Sequence, residues 1–187
     1  MKKYYVLETL TEAEIDTELD HNIRQHLALC FTDSPDKFQS VRVWHNTKPR
    51  FTIIHRDRSG RVLGHAALVI RSITFGWNSR NNVASLQGVS VDPDCRGTGM
   101  AQQLVARALE AAVFCGYPYA ILFCKEDRVP FYQHIGWKLT DDSVVMRNLD
   151  DNPIKMRSNC PMYKVLGNVP FPEGPVDVHT PLELPPE

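Results

Sequence analysis

The sequence predicts an α/β (α+β) fold: a mixed, mostly antiparallel sheet of six or seven strands, with one central parallel pair and helices on both faces. Three observations carry this. Residues 50–56, 61–73 and 83–91 are strand-like runs in succession, separated by polar turns at 57–60 and 78–82, which is the pattern of an antiparallel meander. The run 83–91, a helical pattern over 100–114 and the nearly continuous apolar run 119–124 form a strand–helix–strand unit, whose two strands run parallel. In that helix Leu104, Val105, Ala108, Leu109, Ala112 and Val113 make an apolar side that needs a sheet to cover it.

The remaining elements follow from local chemistry. Residues 3–7 read as a first strand. Thr11 with Glu14 is a capping-box pair, and the helix it starts carries Ile15, Leu19, Ile23, Leu27 and Phe31 on one drifting stripe until Asp33-Ser34-Pro35 ends it. A short helix is expected over 37–44. Gly64, inside a strand, marks a bulge or a close approach of another backbone. Gly116 caps the 100–114 helix. A short helix spans 129–135 with Pro130 in its first turn, and short strands follow at 137–139 and 143–146. Residues 150–161 read as loop, and 162–166 as the last strand. Residues 1–166 are one domain in this reading. Residues 167–187, with prolines at 170, 172, 175, 181, 185 and 186, form an extended tail laid across a surface.

Composition excludes several classes. A formal charge of −1 gives no global field to draw nucleic acid or an anionic membrane. No apolar run approaches the ~18 residues of a membrane span, and the start of the chain lacks the apolar core of a signal peptide. Five scattered cysteines without a CxxC pair are expected as free thiols in the cytoplasm, and with dispersed histidines they predict no metal site.

The most informative stretch is 89–104. A strand through Val89 and Val91 turns at Asp92-Pro93, passes Arg96-Gly97-Thr98-Gly99 and opens a helix at Met100. Helix-initial N–H groups lack intrahelical partners and carry about half a positive charge, so such a turn is an anion site. Glycine lets a phosphate approach the backbone, and Arg96 adds a planar cation suited to its oxygens. The P-loop pattern fails, since no Lys follows the glycines; the dinucleotide fingerprint fails, since Gln102 stands where its third glycine belongs.

What fits is R-x-x-G-x-A from Arg96 to Ala101 behind V-x-V-x-P. It resembles the pyrophosphate loop of the GNAT superfamily of N-acetyltransferases. A second stretch, Phe131-Tyr132-Gln133-His134-Ile135-Gly136-Trp137, resembles that superfamily's F-Y-x-x-x-G-F/W. The element order and tail also loosely resemble aminoglycoside 2′-N-acetyltransferases, without a residue-level motif. The resemblance implies a splay in the parallel strand pair that admits a pantetheine arm, acetyl-CoA as cosubstrate and no metal. It places the diphosphate on Arg96, Gly97, Thr98, Gly99, Met100 and Ala101, the pantetheine along Val89 and Val91, the thioester carbonyl on the Val89 N–H, and Tyr132 as the acid that protonates the leaving sulfur. A base is not assigned. The stretch 85–88 has no titratable group, and Glu126, Asp127 and His134 lie near the second motif. The expected activity is N-acetylation of a primary amine by direct attack in a ternary complex. A small-molecule acceptor is the first reading. Peptide N-termini or lysines, or a silent acyl-CoA-binding sensor, are the alternatives. A homodimer is left open.

Overall fold

A computed structural model of the chain describes residues 5–44, 47–76, 80–140, 144–147, 153–155 and 159–179. Its strands are β1 (Tyr5–Leu10), β2 (Phe51–Asp57), β3 (Val62–Phe75), β4 (Asn81–Val91), β5 (Tyr119–Cys124), β6 (Lys138–Leu139), β7 (Val144–Arg147), β8 (Pro153–Lys155), β9 (Cys160–Val165) and β10 (Val176–His179). Its α-helices are α1 (Thr17–Cys30), α2 (Met100–Phe114) and α3 (Val129–His134). The strands join in the order β6-β9-β5-β4-β3-β10-β7-β8, with β2 also on β3 and β1 on β2. The sheet is mixed and mostly antiparallel, with β4 and β5 as the expected parallel pair.

The 14-residue β3 explains why there are more strands than the six or seven expected. A strand has two edges, and β4 takes one of them. On the other, β2 pairs antiparallel only with the first half, Phe51 opposite Leu68 through Arg56 opposite Val62. The second half would stand open, and an open edge invites foreign pairing. β10 covers it, with Val176 opposite Phe75 and His179 opposite Ser72. The proline-rich tail is therefore partly a strand and not wholly a surface ribbon. The alternation Val176-x-Val178, both valines buried, is what docks it. A second unexpected strand, β8, falls in the stretch read as loop and pairs antiparallel with β7.

The chain divides into two compact units by contact: 1–44 with 48–68 and 86–111, and 45–47 with 69–85 and 112–187. In the first unit, Leu19, Ile23 and Leu27 of α1 pack with Phe38, Ile54 and Val62. The capping box starts only a 3-10 turn, Glu12–Glu14, where the Glu14 carboxylate accepts the Thr11 N–H at 2.7 Å. The α-helix begins later because Asp16 is a better-placed cap and accepts the Leu19 N–H at 2.8 Å. The helix expected at 37–44 is a 3-10 turn, Pro35–Gln39. The β2–β3 register shifts between His55, opposite Gly64, and Arg56, opposite Val62, so the extra residue is Leu63 and the bulge lies on β3 beside Gly64. A Cβ on Gly64 would lie 2.9 Å from Leu104 Cδ1 and 3.0 Å from Met100 Sδ, so the close approach is by side chains of α2. Its neighbour His65 points to the other face, toward Gly88 and α1. Helices thus cover both faces of this unit's strands.

In the second unit, Ile73, Phe75, Val83, Tyr119, Ile121, Val176 and Val178 form one core cluster. Phe171, from the tail, stacks on Tyr163 with ring centroids 4.0 Å apart and meets Phe75 and Tyr119 edge-on. β9 lies antiparallel to β5 over its full length. Gly116, at φ +81°, ends α2 as expected: its N–H donates to Val113 and the Tyr117 N–H to Ala112.

The fit at Gly64 leaves no room for a branched side chain. Gly64→Val is expected to cost about 1–3 kcal/mol of folding stability, read as a lower urea midpoint. An unchanged midpoint would mean that Leu104 and Met100 move aside freely.

Candidate functional site

The loop between β4 and α2 is held from behind and open in front. Asp92 is 1% exposed. Its carboxylate accepts the Asp94 N–H at 3.0 Å and pairs with the Arg61 guanidinium at 2.5 Å. Its carbonyl accepts the Cys95 N–H at 2.8 Å, and its own N–H donates to the Leu63 carbonyl at 2.8 Å. Pro93 opens a 3-10 turn, Pro93–Cys95, that needs no donor there. Beyond it Gly97 and Gly99 take φ +75° and +81°, conformations that other residues adopt at a cost. A Cβ built on Gly97 would meet nothing within 4 Å, so the space in front of that backbone is clear. The Gln103 N–H donates to the Gly99 carbonyl at 3.2 Å; amides ahead of it precede the helix's own ladder. The Thr98 hydroxyl donates to the Cys95 carbonyl at 2.6 Å, and Arg96 is exposed, with its Nε directed back to the Val91 carbonyl at 3.4 Å.

Behind β4 runs a buried polar line that sequence reasoning missed. Gly88, within β4, takes φ +63°, and its carbonyl accepts a bond from His65 Nδ1 at 2.8 Å. The proton on that ring is therefore at Nδ1, and Nε2 is buried without a partner among the described residues. Two residues on, Ser90 Oγ lies 3.0 Å from His26 Nε2 on α1. Burial pushes His26 down to about 4, against the opposing pull of the Asp92 charge. Burial also pushes His65 down to about 3, more than the Gly88 carbonyl can offset. Both rings are neutral at pH 7. The signal that could have found them was their position: His26 continues the α1 stripe and His65 follows the strand glycine.

In the second unit, Tyr132 is 8% exposed, and its ring sits edge-on to Phe131 and Trp137. Burial, reinforced by Cys124 and opposed by Arg128, raises its phenol above the ordinary value, so it stays protonated. Trp137 is core, at 2% exposure. Glu126, Asp127 and His134 are exposed. Cys30 and Cys124 are pushed up to about 11, first by burial, and are unreactive thiols. Among the described residues no group of acids, histidines and cysteines could hold a metal.

The family profile described as an acetyltransferase (GNAT) domain matches residues 10–140, well over half of the chain. The chain belongs to the GNAT acetyltransferase family. Among curated proteins this GNAT chain is 27% identical over 105 residues to the mycothiol acetyltransferase of Thermobifida fusca (strain YX), covering 54% of this chain and 32% of that protein. It is 32% identical over 81 residues to the glucosamine 6-phosphate N-acetyltransferase of Trypanosoma brucei brucei, covering 43% of this chain and 53% of that one. The alignments thus span about a third and about half the length of these relatives. Among solved structures, the GNAT family N-acetyltransferase YhbS of Escherichia coli in complex with CoA superposes with a TM-score of 0.65 at 16% identity, covering 96% of this chain and 92% of that one. A GNAT family acetyltransferase of Brucella melitensis in complex with acetyl-CoA gives 0.60 at 17% identity, covering 92% and 96%. At these identities the two structures support the fold.

The neutral histidines of this GNAT domain tie its stability to pH. Each has a folded pKa below the unfolded value near 6.5, so the unfolded chain binds more protons as pH falls. Their contribution is whole above about pH 6.5 and is lost progressively toward pH 4 and 3. Between pH 7 and pH 5 the loss is about 2 kcal/mol for each ring. Denaturant titrations at the two pH values should show that His65→Gln removes about half of this combined loss; an equal drop in both proteins would contradict the assignment.

Proposed function

We propose that this chain transfers the acetyl group of acetyl-CoA to a primary amine of a small molecule, by direct attack in a ternary complex. The observation that carries this is the backbone from Gly97 to Ala101, clear in front of Gly97 and ahead of the helix's own ladder, while the Arg96 N–H is held by the Pro93 carbonyl at 3.4 Å. The residues present fit the coenzyme's diphosphate: Gly97 and Gly99 open the approach, the helix start supplies donors, and Arg96 supplies charge without a carboxylate partner among the described residues. Val89 and Val91 would bind the pantetheine amides as an added strand, with the Val89 N–H on the acetyl oxygen. Acetyl-CoA supplies an activated thioester. Tyr132, neutral and protonated, is the group we assign to protonate the departing sulfur. The two curated relatives, whose names are those of acetyltransferases of small molecules, favour a small-molecule acceptor.

A second reading has a specific observation behind it. The side chains Ser85 to Gly88 carry no titratable group, as expected of a module that binds acyl-CoA without turning it over. Five free cysteines among the described residues favour a reducing compartment, the cytoplasm. No helix among the described residues is long and apolar enough to cross a membrane. Exposed Val113, Phe114, Val165 and Val169 leave surface for a homodimer.

Two substitutions separate binding from turnover. Arg96→Ala should weaken acetyl-CoA binding by roughly 10- to 100-fold, the worth of a charge-assisted contact. Tyr132→Phe should leave that affinity nearly unchanged and lower kcat by roughly 10-fold or more. Calorimetry and a free-thiol release assay over a panel of amines check both. Equal turnover of Tyr132→Phe and wild type rejects the acid role, and binding without thiol release from any amine favours the sensor.

A further inference from the structure

A cleft of about 390 Å³ opens in the first unit between α1 and the turn joining β2 to β3. That volume lies within the range of small-molecule sites. Glu18, Asn22 and Gln25 line it from α1, Arg61 from the turn, Asp92 from the end of β4, and His26 from beneath. The Asp92 carboxylate and the Arg61 guanidinium are paired with each other, which leaves Glu18 as the unbalanced charge, and the buried His26 adds none at neutral pH, since desolvation holds it at about 4. The balance favours a cation of one charge. Leu29 and Val62 give part of the lining an apolar surface, while the amides of Asn22 and Gln25 present both donors and acceptors, which match hydroxyl groups.

The cleft is connected to the strand assigned to the chemistry. His26 lines it and meets Ser90 Oγ at 3.0 Å, and Ser90 follows Val89 directly in β4. Asp92, another wall, begins the loop assigned to the diphosphate.

We propose that this cleft is the acceptor pocket and takes a small, hydroxylated primary ammonium compound of the amino-sugar class, with its nitrogen directed toward Ser90. This rests on the reading of the chain as an acetyl-CoA-dependent N-acetyltransferase. The ammonium gives one proton to solvent in the cleft and becomes a neutral amine. Its nitrogen then bonds to the acetyl carbon as the carbon–sulfur bond breaks, and one remaining N–H proton ends on the thiolate, giving amide and free thiol.

The test uses the full chain, with D-glucosamine and 2-phenylethylamine as probes and acetyl-CoA as control, followed by calorimetry. Gln25 is exposed, so Gln25→Trp fills the cleft without disturbing the core. The expected result is that wild type binds D-glucosamine in preference to 2-phenylethylamine. Gln25→Trp should weaken D-glucosamine binding at least about tenfold, with acetyl-CoA affinity unchanged. Glu18→Gln, which keeps the shape and removes a charge, should weaken it by a smaller factor. Equal D-glucosamine affinity in wild type and Gln25→Trp overturns the proposal, as does a preference for 2-phenylethylamine or a loss of acetyl-CoA affinity in Gln25→Trp. If wild type binds D-glucosamine but not acetyl-CoA, the cleft stands as a binding site and the transferase reading falls.

Discussion

Asp92 is the constraint on which the candidate site depends. Through side chain and backbone it ties together the end of β4, the β3 backbone at Leu63, the turn residue Arg61 and the 3-10 turn before Arg96. A carboxylate this deeply buried is tolerable only when paired and hydrogen-bonded, and Asp92 is both. Because these bonds hold the loop from behind, the backbone in front need not hold itself. The amides at the start of α2 are then available to a ligand.

The same region carries other polar groups that a core built only for stability would replace. His26, His65 and Ser90 occupy the space between α1 and β4, and one nitrogen of His65 is buried without a partner among the described residues. In the second unit, Arg71 is 2% exposed. Its Nε reaches Ser85 Oγ at 3.3 Å, and its NH1 group has no partner among the described residues. Burial alone pushes that guanidinium down to about 10. Such groups cost stability. The hydrophobic clusters around Ile23 and around Phe75 lie elsewhere in the two units.

Much of this was legible in the chain itself, for identifiable reasons. α2 and β5 are readable to the residue, because a glycine-bounded 3.6-residue period and an unbroken apolar run leave few alternatives. The turn from Arg96 to Gly99 is readable as a turn because two glycines stand just before a helical period, and the structure gives both of them positive φ. The start of α1 was displaced because two good caps, Thr11 and Asp16, stand five residues apart, and which wins is decided by packing. β10 was hidden by its prolines, since its partner edge exists only once β2 has stopped short on β3. The polar line was hidden for a different reason. His26 and Ser90 are 64 residues apart, and His65 and Gly88 are 23, so no local pattern joins them.

The claim at the centre is that the backbone from Arg96 to Ala101 grips a diphosphate. A crystal of the full chain grown with acetyl-CoA tests it most directly. The account predicts diphosphate oxygens within about 3.2 Å of backbone nitrogens in residues 97–101, with the Arg96 guanidinium alongside. Acetyl-CoA bound with its diphosphate elsewhere, and those amides facing only solvent, would contradict it.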